Sequence, residues 1–486
     1  MMRSPVPKGR VRVLNDASPQ NRDYILYWMT SFRRAKSNFA LDRAIELAKQ
    51  MKRPLLVLEA LRVGYEFAND RLHTFVLEGM HDNERAFQDS AVKYLPYVER
   101  KVGEGKGLME ALVKRACIVV GDDWPCFFVP KMQQALAARI DCRFEVVDSN
   151  GLYPMHDTPR VFTTAHSFRV HLQKVLPAHL MQFPTEHPLS RLELPTFDAP
   201  LPKQWKFGLD VAVADLPIDH SVPAVPIPGG SAAAEKRLAH FISKILPTYA
   251  DSRNEPELDG TSALSPYLHF GHLSTHQVFT EVVGTEKWSV EKLGPSIGGA
   301  KEGWWQLSPH AEGYLDQLVT WRELSFNMTS HRPDDYRSLD ELPDYARETI
   351  AKHAKDVRKV TYTLKQLEEG RTHDRLWNAA MGQLRETGWF HNYLRMLWGK
   401  KIYEWSKSAA DALHAMEYLM GKYSIDGRDP ISYSGYFWIL GRYDRAWGPE
   451  REVFGTLRYM SSDNTAKKLD VKKYMDRFAP ENGSLF

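Results

Sequence analysis

Nine prolines fall between Pro184 and Pro228, and the stretch closes on Pro228-Gly229-Gly230-Ser231. Proline fixes φ and removes an amide donor, so neither a long helix nor a central strand runs through such a segment. The chain is thereby cut in two. Its 486 residues are in any case too many for one hydrophobic core. Two domains are expected, covering 1–183 and 233–486. Residues 184–232 read as an extended connector lying on the surface of both.

The two sides differ in pattern. Tyr24 to Met29, Leu55 to Leu58, Cys117 to Val120 and Phe144 to Val147 are apolar runs of strand length. Helical spacing separates them, in Leu41 to Met51 and from Asp70 to about Leu95. Alternation of this kind predicts an α/β domain with a doubly wound parallel sheet. No GxGxxG follows the first strand, so the dinucleotide fingerprint is absent. Beyond Ala232 the pattern is all-α: Ala233 to Leu246, Tyr314 to Met328, Leu339 to Lys355, Leu376 to Thr387, Trp389 to Trp405 and Ala409 to Lys422. Residues 285–305 read as a glycine-containing loop without an assigned purpose.

Composition excludes several classes. No apolar run reaches the roughly 18 residues of a membrane span, and none follows the charged N-terminus as in a secretory signal. Three cysteines, Cys117, Cys126 and Cys142, show no CxxC spacing. They read as buried thiols of a cytoplasmic protein, without disulfide framework or metal site. A net charge of +3 permits a polyanionic partner without requiring one. Thirteen tryptophans are many, and a few are candidates for stacking on a planar ligand or carrying electrons.

Three constellations carry chemistry. In TSALSPYLHFG, from Thr261 to Gly271, hydroxyls precede a helix-compatible run. Orphan amides and the dipole at a helix start suit phosphate, although an ordinary cap by Thr261 or Ser262 needs the same residues. In HNYLRMLWGKKIYEW, from His391 to Trp405, Arg395 and Trp398 share a helix face. Trp398 and Trp405 lie two turns apart, about 10 Å along the axis, which suits hopping between indoles. The plainer reading is two core tryptophans. Asp426-Gly427-Arg428-Asp429-Pro430 is by itself a polar turn.

Together these segments resemble the DNA photolyase/cryptochrome family, and within it class II photolyases, over nearly the whole chain. The N-terminal YILYWMTSFRRAKSNFAL and the tail REVFGTLRYMSSDNTAKKLDVKKY continue the likeness. The resemblance implies FAD in the helical domain. Thr261, Ser262, Ala263, Leu264 and Ser265 would clamp its diphosphate. Tyr249, Glu323, Asn392, Arg395, Asp426 and Asp429 would complete the cofactor site, with Asp426 paired to Arg395. Trp377, Trp398 and Trp405 match an electron relay whose order the sequence does not give. Arg253 matches a DNA contact, Met396 a substrate-facing methionine, and Trp321 and Trp438 the indoles flanking a pyrimidine dimer. A deazaflavin or folate antenna in the N-terminal domain is a family feature that the sequence neither shows nor excludes. Lys467, Lys468, Lys472 and Lys473 suit phosphates, and equally a solvated face. UV-damaged DNA as partner and a monomeric state are expected, with no membrane association.

Departures from the family fall in the active centre. Gln317 stands where class II photolyases place a glutamate that contacts the dimer, and an amide supplies neither charge nor, readily, a proton. Met420 and Ile431 replace two asparagines near the flavin's reactive nitrogen, where neither side chain can stabilise a charge. Two functions are therefore expected to compete. One is light-driven repair of cyclobutane pyrimidine dimers flipped out of the duplex. The other is a non-repairing, cryptochrome-like photoreceptor or a flavoprotein with another photoreaction.

Overall fold

The computed structural model describes residues 5–296 and 298–479. The described residues of Met1–Pro159, Val175–His240 and Ala263–Glu291 form one compact unit. Those of Arg160–Lys174, Phe241–Ser262 and Lys292–Phe486 form the other. Compactness thus divides the chain differently from the expected 1–183, 184–232 and 233–486. The proline-rich stretch belongs wholly to the first unit, because it buries Trp205, Leu209, Leu216 and Val222 there. Backbone bonds from Gly208 to Pro96 O (2.9 Å) and from Asp219 to Ala68 O (2.9 Å) fasten it.

The first unit holds a six-stranded sheet: β1 (Val11–Val13), β2 (Tyr24–Met29), β3 (Leu55–Leu61), β4 (Val92–Val98), β5 (Ala116–Asp122) and β6 (Arg143–Val147), in the order β1-β6-β5-β2-β3-β4. β2 to β6 pair in parallel, and β1 adds antiparallel to β6. Strands β2 and β5 are buried along their whole length, as parallel strands covered on both faces must be. Helices α1 (Phe39–Met51), α2 (Asp70–Phe87), α3 (Leu108–Val113) and α4 (Val129–Ala137) make the crossovers. The expected helix from Asp70 to about Leu95 stops at Phe87, and Val92 and Leu95 lie in β4 instead.

The strand order reverses between β2 and β5, where open α/β sheets usually take ligands. The buried Asp122 carboxylate accepts from the amides of Thr30, Ser31 and Phe32 and from Tyr27 Oη, at 2.7–2.9 Å.

Among the described residues of the second unit the regular elements are helices, joined by loops and one isolated bridge between Arg451 and Gly455. Expected helices recur with altered ends. Pro343 confines Leu339 to Lys355 to a short turn followed by Asp344–Lys352. Trp389 to Trp405 begins at Asn392, capped by the His391 ring, which accepts from the Tyr393 amide. Tyr314 to Met328 is broken by a π-helical turn, Asp316–Trp321, between Pro309–Leu315 and Arg322–His331. The loop expected over 285–305 lacks α-helix among its described residues. Its Gly299-Ala300 backbone is held by Arg169 and Gln173 on the Ala165–Val175 helix.

Candidate functional site: an indole chain beside an arginine–aspartate pair

Three of the tryptophans singled out in the sequence touch in series. Trp377, on Arg375–Thr387, lies parallel to Trp398, on Asn392–Trp405, with centroids 6.3 Å apart and planes 2° from parallel. Its other contact is edge-on to Trp405, at 5.4 Å. The contact order is therefore Trp398–Trp377–Trp405. Trp398 and Trp405 share a helix, but the path between them runs through the neighbouring one. The Trp377 N–H donates to Trp398 O at 2.9 Å, and Asp374 caps its helix through the Trp377 amide. All three rings are buried.

The Trp398 end meets the charged pair. Arg395 lies 3.8 Å from Asp426, and its guanidinium rests over Phe390, which also edges Trp398 at 5.7 Å. Asp426 is fixed by Ser424 Oγ at 2.5 Å. In the Asp426–Pro430 turn, a Cβ on Gly427 would lie 2.0 Å from Met420 O, so only glycine fits. Arg428 is spent on the carbonyls of Gly421 and Ile425, closing the Ala409–Tyr423 helix. Asp429 caps Pro430–Ile439 by accepting from the Ile431 amide. Met420 is fully buried, whereas Ile431 is 36% exposed and Asn392 is exposed.

Two buried donors here, Trp398 Nε1 and Arg395 Nε, have no hydrogen-bond partner among the described residues. Leaving such a group unpaired costs about 1–3 kcal/mol. Donors of this kind suit a planar group with acceptors along its edge, and in that chemistry the residues present fit a flavin.

The substrate-side residues cluster as well. The π-helical turn carries both Gln317 and Trp321, and each is half-buried. Trp321 stacks face to face on Trp438, with centroids 4.5 Å apart and planes at 12°. A base sandwiched between two indoles needs about 7 Å, two layers of carbon contact. The expected flanking pair is thus closed on itself. Met396 is half-buried, and Glu323 is buried on Arg322–His331.

At the expected phosphate segment, Thr261, Ser262 and Ser265 are half-buried and Leu264 is buried. Ala263 takes a left-handed backbone, φ +50°. Neither Thr261 nor Ser262 caps the following helix: Leu264 holds that position without a side-chain bond. Ser262 bonds instead to Tyr314, whose ring meets Tyr249 edge-on at 5.3 Å. Arg253 lies over Tyr249 at 5.3 Å, and its carbonyl oxygen is 3.0 Å from His391 Nε2. Burial pushes His391 down to about 4, so its ring is neutral at physiological pH.

Lys467, Lys468, Lys472 and Lys473 are exposed. The three cysteines are buried and unbridged. No metal-binding cluster of His, Cys, Asp or Glu occurs among the described residues, and no described helix is long and apolar enough to cross a membrane. Sequence reasoning gave no role to Tyr362, His373 and Lys401, which surround Trp405. The tyrosine sits in a polar loop, and only its aromaticity marked it.

Solved structures share this architecture. A class III photolyase from Agrobacterium tumefaciens aligns over 95% of this chain and 88% of its own, with TM-score 0.65 and 16% identity. The Synechocystis sp. PCC6803 cryptochrome aligns over 94% and 88%, with TM-score 0.67 and 15% identity. The fold is that of photolyases and cryptochromes. No family model matches the chain. Full-length relatives do. The deoxyribodipyrimidine photo-lyase of Oryza sativa subsp. japonica is 33% identical over 491 residues, covering 96% of this chain and 90% of its own. That of Methanothermobacter thermautotrophicus is 30% identical over 477 residues, covering 96% and 97%. The chain belongs to the photolyase/cryptochrome family, among relatives named deoxyribodipyrimidine photo-lyase.

Proposed function

We propose that this chain binds FAD and uses blue light to split cyclobutane pyrimidine dimers in DNA, as a class II photolyase. The observation that carries the light-driven part is the unbroken contact series Trp398–Trp377–Trp405, ending inside the protein on an indole N–H without a partner among the described residues. When bound, FAD supplies light absorption and the electron given to the dimer. Arg395 and Asp426 would hold its polar edge, with Asn392, Asp429, Glu323 and Tyr249 around it. Thr261, Ser262, Ala263, Leu264 and Ser265 would take the diphosphate. Arg253 and the exposed lysines of the tail would meet DNA phosphates, so binding would weaken as salt rises.

A flipped-out dimer would lie against Trp321 and Trp438, with Met396 and Gln317 beside it. The closed stack of the two indoles means that the dimer either parts them or rests on one outer face.

That closure favours a second reading, in which the protein photoreduces flavin without repairing DNA. Gln317, Met420 and Ile431 point the same way: an amide, a thioether and an alkyl group replace residues that could carry charge or polar hydrogen bonds. One assay separates the readings. FAD-loaded, light-reduced protein is mixed with an oligonucleotide carrying one thymine dimer and illuminated. Repair requires light-dependent loss of dimers. Unchanged dimers with flavin demonstrably bound would establish the second reading.

A further inference from the structure

The π-helical turn Asp316–Trp321 begins on a buried charge. Asp316 Oδ1 lies 3.0 Å from Arg169 Nε, on the Ala165–Val175 helix, with 11% of the arginine and 9% of the aspartate side chain exposed. Neither of these two atoms makes an aligned hydrogen bond among the described residues, so charge carries the contact. The same guanidinium donates from Nη1 to Gly299 O at 2.7 Å. One helical turn on, Gln173 accepts from the Gly299 amide at 2.9 Å and donates to Ala300 O at 3.1 Å. Gly299 is pressed against this helix: its φ is +80°, and a Cβ there would lie 2.7 Å from Val170 Cγ2 and 2.8 Å from His166 O. Arg169 thus grips a loop with one arm and the first residue of the π-helical turn with the other.

Turns of this kind are rare, because they carry one residue more than an α-helical turn. Were the turn to revert, the residues before it would rotate against those after it by about 100°, one residue's share of an α-helix. Gln317 and Trp321 both lie in the turn, and Trp321 meets Trp438 face to face at 4.5 Å. A stack that close tolerates little rotation of either ring. The ion pair resists the reversion: swinging Asp316 away would leave a carboxylate and a guanidinium buried without each other, which is strongly unfavourable.

We propose that Arg169 is a positioning residue for the substrate side of this site: through Asp316 it holds the π-helical turn that aims Gln317 and presents Trp321 to Trp438. It acts through the turn, without touching substrate or cofactor. Its handle is the Asp316 charge. Asp316→Asn, close to isosteric, therefore releases the turn, whereas Arg169→Lys keeps a cation opposite the carboxylate and retains it. The link from the turn to a DNA dimer rests on the proposed repair function. The link from Arg169 to the indole stack does not.

The test is fluorine NMR of the full chain labelled with 5-fluorotryptophan, in the dark and without DNA. Single Trp→Phe replacements identify the resonances of Trp321 and Trp438, and of Trp377, Trp398 and Trp405 as internal references. Asp316→Asn and Arg169→Met should shift or broaden the Trp321 and Trp438 signals and leave the three references in place, while Arg169→Lys should keep the native spectrum. If Arg169→Met fails to fold, Asp316→Asn carries the comparison. In FAD-loaded protein, Asp316→Asn should raise KM for a dimer-bearing oligonucleotide by about tenfold and leave flavin photoreduction unchanged. Native Trp321 and Trp438 signals in Asp316→Asn overturn the proposal, and so does displacement of all five signals alike, which marks a general core contact. A native chain that repairs no dimers defeats the repair reading alone, since the NMR signals still decide whether Arg169 holds the turn.

Discussion

Gln317 and Lys400 show how much single side chains decide here. Gln317 sits on the π-helical turn beside Trp321, where relatives of the proposed class would carry a carboxylate. If repair is the function, Gln317→Glu restores a proton-exchanging group. The rate of dimer loss should then rise by about tenfold or more, read by dimer-specific cleavage of an illuminated oligonucleotide. Lys400 is fully buried, its ammonium donating to Ile439 O at the end of the helix that carries Trp438. Burial pushes its pKa from 10.5 down to about 7; Arg458 acts in the same direction and Asp444 opposes it. Between those two values the unfolded chain holds a proton that the folded chain does not, so this group's contribution to stability rises with pH. Lys400→Met removes the dependence. In urea unfolding, the stability advantage of Lys400→Met over the native protein should therefore shrink steadily from pH 7 to 10. A constant gap would contradict the burial argument.

The elements that hold the site differ in how far the sequence reveals them. Strands β2 and β3 were legible because continuous apolar runs bounded by polar residues have few other uses. Strand β4 was not, since Val92 and Leu95 continue the three-residue spacing of α2 and periodicity alone cannot separate them. The π-helical turn left no trace either: one extra residue per turn changes which face Gln317 and Trp321 occupy without changing composition. The Trp398–Trp377–Trp405 order was unreadable because it arises from two helices packed side by side, not from spacing along one. The closed Trp321–Trp438 stack was hidden for the same reason. The Asp426–Pro430 turn, by contrast, was visible, and its glycine has a geometric cause. Gly427→Ala forces a methyl against the Met420 carbonyl, 2.0 Å from where its Cβ must sit. It should cost about 2–3 kcal/mol by denaturant titration and loosen FAD binding, because Asp426 moves with the turn.

For the whole chain, the proposed light chemistry is assigned to the residues of the helical unit. Two donors without a partner among the described residues, an arginine–aspartate pair and three indoles in contact are the arrangement on which the proposed photoreduction of a bound flavin rests. Recording the visible spectrum of FAD-loaded protein under blue light, for the native chain and for Trp377→Phe, tests this without reference to any DNA substrate. The native spectrum should lose its oxidised-flavin bands within the illumination, while Trp377→Phe retains both flavin and bands because the middle indole is gone. Equal bleaching of the two proteins, or a native chain that takes up no flavin, would contradict the reading of these residues.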